Sequence, residues 1–316
     1  MSEKNIKYTS IGGQALIEGV MMRGKDDIAI AVRKPDGEIE IKMEKTSPIE
    51  KWKVARMPLL RGVFSLIASM TVGIKALTYS AEFYAEADDD YKESKFEKFI
   101  YDKMGKRADD VLMAISILTA FGFALVLFGI VPTFSVGLLK GIIKSQLALS
   151  AIEGIVKIAV FILYIVLISQ MKDIKRVFQY HGAEHKTIHC FENGEDVTVE
   201  NARKYTTLHP RCGTSFIFFV LMISIILFTF ISWSNLLMRI AMKIVLLPLV
   251  AGISYELLKV AGKSDAKWIT TISKPGLLMQ KLTTKEPDDK QLEVAIAAFK
   301  SVLDRMDPKD ALPEEH

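Results

Sequence analysis

The sequence predicts a mainly α protein, an integral membrane bundle of about four transmembrane helices with a small N-terminal β-hairpin unit and cytoplasmic helical segments. Three observations predict it. Half of the 316 residues are hydrophobic and 25% are charged, yet the two kinds are segregated, with apolar runs long enough to cross a bilayer and charges between them. Apolar residues alternate on either side of Lys34-Pro35-Asp36-Gly37. A polar, histidine-rich segment separates the second apolar run from the third.

The N-terminal segment, residues 1–50, reads as a cytoplasmic Gly-rich and β-hairpin unit. Ile28, Ile30 and Val32 alternate with smaller or polar residues, as do Ile39, Ile41 and Met43, and Pro35 and Gly37 suit the turn between them. Gly12–Gly24 carries four glycines with Glu18 and Arg23. It matches neither a dinucleotide fingerprint nor a Walker loop, and reads either as a compact packed turn or as a lid that brings Glu18 or Arg23 to a site. Residues 51–110 read as an interfacial, re-entrant or bundle-packed helix and a charged connector, because the apolar run Val63–Ile74 is short for a bilayer.

Residues 111–258 read as the membrane domain, with spans over Val111–Val131, Leu147–Met171, Thr214–Trp233 and Leu236–Leu258. Glu153 and Lys157, four apart in the second span, are expected to face the bundle and pair. Residues 259–316 read as a cytoplasmic helical tail. Pro275-Gly276 suggests a turn before a docking helix, and 288–305 an amphipathic helix capped by Asp288 or Asp289.

The loop 172–213 holds seven Lys/Arg, against two in 132–146 and none at Ser234-Asn235. The positive-inside rule then predicts a multi-pass protein of the inner (plasma) membrane with that loop and both termini in the cytoplasm; Arg239 and Lys243 argue mildly against it. The first twenty residues lack the charged start and apolar core of a cleavable signal peptide. A net charge of +4 without a nucleic-acid motif points away from nucleic acid as a partner. The bilayer is the expected partner, with a homo-oligomer open. Two cysteines do not make a disulfide framework.

The chemistry concentrates in His181-Gly182-Ala183-Glu184-His185-Lys186-Thr187-Ile188-His189-Cys190, followed by His209-Pro210-Arg211-Cys212. Four histidines and both cysteines lie within 32 positions, the side chains that bind zinc and its neighbours. On a helix, residues four apart drift by roughly 40°, so His181 and His185 can grip one metal, while His189 joins only if the helix bends or the metal sits off-axis. His-x-x-Glu-His matches the inverted zincin motif, in which two histidines bind zinc and the glutamate activates water. That chemistry needs a third ligand, from His209, Cys212, His189 or a distal carboxylate such as Glu256 or Glu18. The plainer alternative is a polar helix end with ordinary hydrogen-bonding histidines.

At these residues the chain resembles a family of bacterial integral membrane proteins of unknown function, the YqhQ-like proteins (domain of unknown function 1385). The resemblance runs through Gly12–Gly24, Pro58-Leu-Leu-Arg-Gly62, Tyr180–Thr187, Leu208–Phe216 and Pro275–Thr284. The family is described as predicted metal-dependent enzymes. The resemblance therefore implies a metal role for His181, Glu184, His185, His209 and Cys212, and leaves His189 outside.

The expected function is a metal-binding membrane protein, a hydrolase using zinc or another divalent transition metal at the cytoplasmic membrane surface. Glu184 would serve as base, with Arg211 or Arg23 stabilising negative charge, and the substrate would be a peptide, a lipid head group or a lipid-linked precursor. The alternatives are a scaffold or adaptor with a structural zinc site, and a transporter or channel subunit using Glu153, Lys157 and Glu256.

Overall fold

The structure, a computed structural model, describes residues 9–46, 57–85, 94–209, 212–232, 235–261 and 267–307. The chain divides into two compact units. One comprises Met1–Ala87, Ile165–Ile223 and Pro248–His316, and the other Asp88–Tyr164 and Ser224–Leu247.

The first unit opens with four antiparallel strands in sequence order: β1 (Gly12–Leu16), β2 (Gly19–Arg23), β3 (Asp27–Arg33) and β4 (Ile39–Lys45). The hairpin expected around Pro35 is β3–β4, paired from Asp27↔Lys45 to Arg33↔Ile39, with Gly37 at φ +92° in its turn. The glycine-rich segment is a second hairpin, β1–β2, and not a compact turn. Glu18 sits at its tip with φ +49°, held by Arg176 and by the Tyr180 hydroxyl.

Period-two alternation gives the sheet two apolar faces. Met21, Ile28, Ile30 and Val32 pack with Val72, Ala76 and Tyr79 of helix α1 (Leu60–Ala85). Val20, Met22, Ala29 and Ala31 pack with helices α6 (Lys172–Glu192) and α11 (Asp289–Leu303), through Tyr180, Ala183, Leu292, Ala295 and Phe299. The small residues between the isoleucines of β3 are therefore a second buried face, fully covered by helices. Helix α11 begins at Asp288, whose side chain accepts from the Gln291 backbone while Gln291 returns the bond. This reciprocal cap explains the sharp start of the helix.

Among the described residues, four helices are long and apolar enough to cross a membrane: Leu60–Tyr84, Ala108–Gly141, Gln146–Ile168 and Leu236–Val260. The number agrees with the expectation, but the set differs. Helix α1 continues past Lys75, which is exposed, through another ten residues to Ala85, so the run judged too short reaches spanning length. The expected span at Thr214–Trp233 is a shorter apolar helix, Gly213–Thr229, and Trp233 lies outside the described residues.

In the second unit, helix α2 (Lys95–Met104) is capped reciprocally by Ser94 and Glu97. It leads into α3 (Ala108–Leu125) and α4 (Val131–Gly137), which are joined by a π turn at Val126–Ile130 just before Pro132. Proline cannot donate to the helix and crowds the turn behind it, and a widened turn accommodates both effects. Helix α5 (Gln146–Ile168) carries Glu153, which pairs with Arg239 and Lys243 and not with Lys157. Lys157 instead donates to Ser224 and lies over the Phe228 ring.

The remaining helices among the described residues are α7 (Val199–Arg203), α8 (Gly213–Thr229), α9 (Leu236–Ala261) and α10 (Lys267–Thr283). Pro275 lies inside α10, so the expected turn at Pro275-Gly276 is a helix that tolerates one missing N–H.

Candidate metal centre

Helix α6 carries the histidines at steps of four, and its burial changes along its length. From Tyr180 to Cys190 nearly every residue is buried, because the helix is enclosed by the sheet and α11. His181, Glu184 and His185 therefore leave bulk water while still lining a cavity of about 1040 Å³.

Two backbone carbonyls set the imidazole tautomers. His181 Nδ1 lies 2.9 Å from the Thr283 carbonyl, and His185 Nδ1 bonds the Thr207 carbonyl. A carbonyl only accepts, so both Nδ1 atoms carry the proton and both Nε2 atoms present lone pairs. His181 Nε2 lies 3.1 Å from Cys212 Sγ. His185 Nε2 is buried and has no hydrogen-bond partner among the described residues. One donor atom from each of His181, His185 and Cys212 falls within 4.8 Å of the others.

This arrangement fits a divalent metal. Metal-bound histidines commonly give their second N–H to a carbonyl, and an unpartnered buried acceptor is costly unless something binds it. Burial pushes the His185 imidazole below its ordinary pKa, with Cys212 pulling the other way, so it is neutral and ligand-ready at pH 7.

Glu184 is buried in the wall of the same cavity. Burial pushes its carboxyl above the ordinary range, against a downward pull from His181 and from the Gly13 backbone N–H that it accepts. Gly13 is what lets β1 come this close. A Cβ there would stand 2.7 Å from the Met21 carbonyl and 2.9 Å from Glu184 Cγ. Gly182 has a matching role on the other side of α6, where a Cβ would meet the Lys285 carbonyl at 2.1 Å.

His209 stands beside this group. Its ring centroid lies 5.6 Å from His185 and 4.7 Å from His189, and its Nε2 is 3.3 Å from Glu192 Oε2. Burial pushes its imidazole down to about 4. Gln280 of α10, itself fully buried, accepts from the His209 N–H and donates to its carbonyl, both at 2.8 Å. A second donor group, His189, Glu192 and His209, again has one atom from each within 4.8 Å.

The other sequence candidates lie elsewhere. Glu18 is engaged by Arg176 and Tyr180. Glu256 is bound by Arg61, with Nε at 2.6 Å, and by the Leu59 N–H. Arg211 lies outside the described residues. Arg23 lines the cavity with Lys25 and Lys259. Sequence reasoning missed Glu192, Gln280 and the Gly13–Glu184 contact. Gln280 and Gly13 both fall within the strings that carried the family resemblance, whereas Glu192 gave no signal beyond standing three residues after His189.

The family described as "Protein of unknown function (DUF1385)" matches residues 57–305. An uncharacterized protein of Bacillus subtilis (strain 168), YqhQ, is 37% identical over 296 residues, covering 92% of each chain. No solved structure matches. The chain is thus a membrane protein that belongs to the DUF1385 family of proteins of unknown function.

Proposed function

We propose that this protein is a membrane-bound, metal-dependent hydrolase whose site is the His181–His185–Cys212 group with Glu184. The observation that carries this reading is the convergence of two histidine lone pairs, both fixed by backbone carbonyls, on one cysteine sulfur beside an open cavity. Three protein donors leave a coordination position for substrate, which is the pattern of catalytic zinc rather than of structural zinc. A divalent metal held there supplies Lewis acidity and a nucleophile from water at neutral pH.

The chain's own residues do the rest. His181 and His185 accept at Nε2, and Thr283 and Thr207 keep their rings from turning. Glu184, whose carboxyl is pushed above its ordinary range by burial, takes the proton from water at a carboxylate oxygen and returns it to the leaving group. The cavity wall supports an anionic, lipid-borne substrate. Ser69 and Val72 come from one helix of spanning length, Tyr255 and Leu258 from another, and Arg23, Lys25 and Lys259 add positive charge. Arg211, two residues after His209, is assigned the same charge-stabilising role from sequence. The excess of Lys and Arg in 172–213 supports a cytoplasmic position for the site.

The test compares detergent-purified wild type with Glu184→Gln for bound metal and for head groups released from a total bacterial lipid extract. The reading expects metal in both and turnover lower by roughly 10²–10⁴ in the variant. Equal turnover in the two proteins, or metal-loaded wild type that releases nothing, would leave a structural zinc site in a membrane scaffold as the better reading.

A further inference from the structure

We propose that the outer edge of β1 is a docking site for an extended, acidic polypeptide segment, which adds to the sheet as a further strand and runs along the cavity. The sheet is ordered β1-β2-β3-β4, so β1 and β4 are its edges. The two edges are built differently. β4 sets Glu40, Lys42 and Glu44 along its length, and charges of this kind discourage a further strand. β1 reads Gly-Gly-Gln-Ala-Leu and carries no charge.

The hydrogen-bond phase shows which main-chain groups face outward. Arg33 N–H donates to the Glu18 carbonyl and Gly24 N–H to the Asp27 carbonyl. These bonds flank the β2–β3 ladder and assign Val20 and Met22 to it. The residues between them, Gly19, Met21 and Arg23, therefore bond β1 through Leu16, Gln14 and Gly12. Gly13 and Ala15 turn their N–H and C=O groups away from β2. The Glu184 carboxylate takes the Gly13 N–H. The Ala15 N–H and the carbonyls of Gly13 and Ala15 have no hydrogen-bond partner among the described residues. Side chains on a strand alternate between faces, yet every residue from 11 to 15 lines the cavity. A cavity that meets consecutive residues follows the edge of the strand, and so its main chain. Gly12 and Gly13 are exposed, and a Cβ at Gly12 would meet nothing within 4 Å. Another backbone can come close where there is no side chain.

Main-chain groups that repeat about every 6.8 Å, two residues of strand, fit another extended polypeptide, whereas a lipid head group has no such repeat. Charge sets the character of that segment. Arg23, Lys25 and Lys259 line the cavity against one carboxylate, Glu184, which suits acidic side chains on the occupant. The docking goes beyond the hydrolase reading and needs no metal, so it is tested on metal-stripped, detergent-purified full-length protein. The probe is a fluorescein-labelled hexapeptide of alternating valine and glutamate, followed by anisotropy and then methylated at one backbone nitrogen at a time. A strand on this edge offers its N–H groups to β1 at alternate residues only.

The proposal expects saturable binding, weakened by about tenfold when alternate nitrogens are methylated and little changed at those between. Ala15→Pro removes an N–H that β2 does not use, a substitution an edge strand tolerates, and should weaken the unmethylated peptide by a similar factor. Lys259→Glu, at an exposed position, should weaken the peptide and favour its valine–lysine counterpart, and it keeps the test open if Ala15→Pro does not fold. No saturable binding, equal weakening at every methylated position, or wild-type preference in Lys259→Glu would overturn the docking site. None of these results bears on the metal group, whose failure is read from bound metal.

Discussion

Two regions of this chain bury ionisable side chains, and they do it in opposite ways. In the second unit, Glu153 gives both carboxylate oxygens to direct partners: Arg239 Nη2 at 2.7 Å on one, Lys243 and Thr133 on the other. The space beside this cluster is about 10 Å³, which holds a single water at most. In the first unit, the buried groups of α6 give their protons to backbone carbonyls and aim their lone pairs at one another across a cavity about a hundred times larger. Ion pairs that are already matched have no capacity left for a ligand. Matched acceptors are what a cation requires. The difference explains why ionisable residues within spans, although functional candidates by default, read here as a staple between helices.

The comparison can be broken first at Glu153. Glu153→Ala leaves Arg239 and Lys243 buried without their shared carboxylate, and breaking a buried pair in this way costs about 3–5 kcal/mol. The expected result is a large fall in the detergent unfolding midpoint, whereas His185→Ala, compared with wild type after both are stripped of metal, should leave the midpoint much closer to wild type. Similar midpoints for the two variants would mean that the regions do not differ as described. A smaller effect sharpens the other half. Gly13→Ala drives a methyl against the Met21 carbonyl and Glu184, an overpacking expected to cost about 1–3 kcal/mol. It should reproduce the Glu184→Gln behaviour, with metal retained and turnover reduced. Unchanged turnover would show that β1 does not position Glu184.

Much of the fold was legible because it rests on local periodicity. The β3–β4 hairpin, the Asp288 cap and the helical repeat of His181 and His185 are set by residues within a few positions of one another. What was not legible depends on contacts between distant segments. Arg61 and Glu256 are 195 positions apart, so the sequence offers Glu256 as a ligand when it is already engaged. Glu153 finds cations 86 and 90 positions away, and a nearer lysine was the natural local guess. The length of α1 is hidden in the sequence because Lys75 interrupts the apolar run, although a lysine on an exposed helix face does not end a helix. The second donor group went unread because Glu192 stands three residues from His189 in a segment that otherwise reads as a helix end.

The central claim is that His181, His185 and Cys212 hold a metal, and elemental mass spectrometry of the detergent-purified protein tests it most directly. The account predicts a stoichiometric divalent transition metal in the wild type, reduced in His185→Ala and in Cys212→Ser at unchanged helical content. Wild-type protein that carries no metal, and takes up none from a buffer supplied with Zn²⁺, would contradict it.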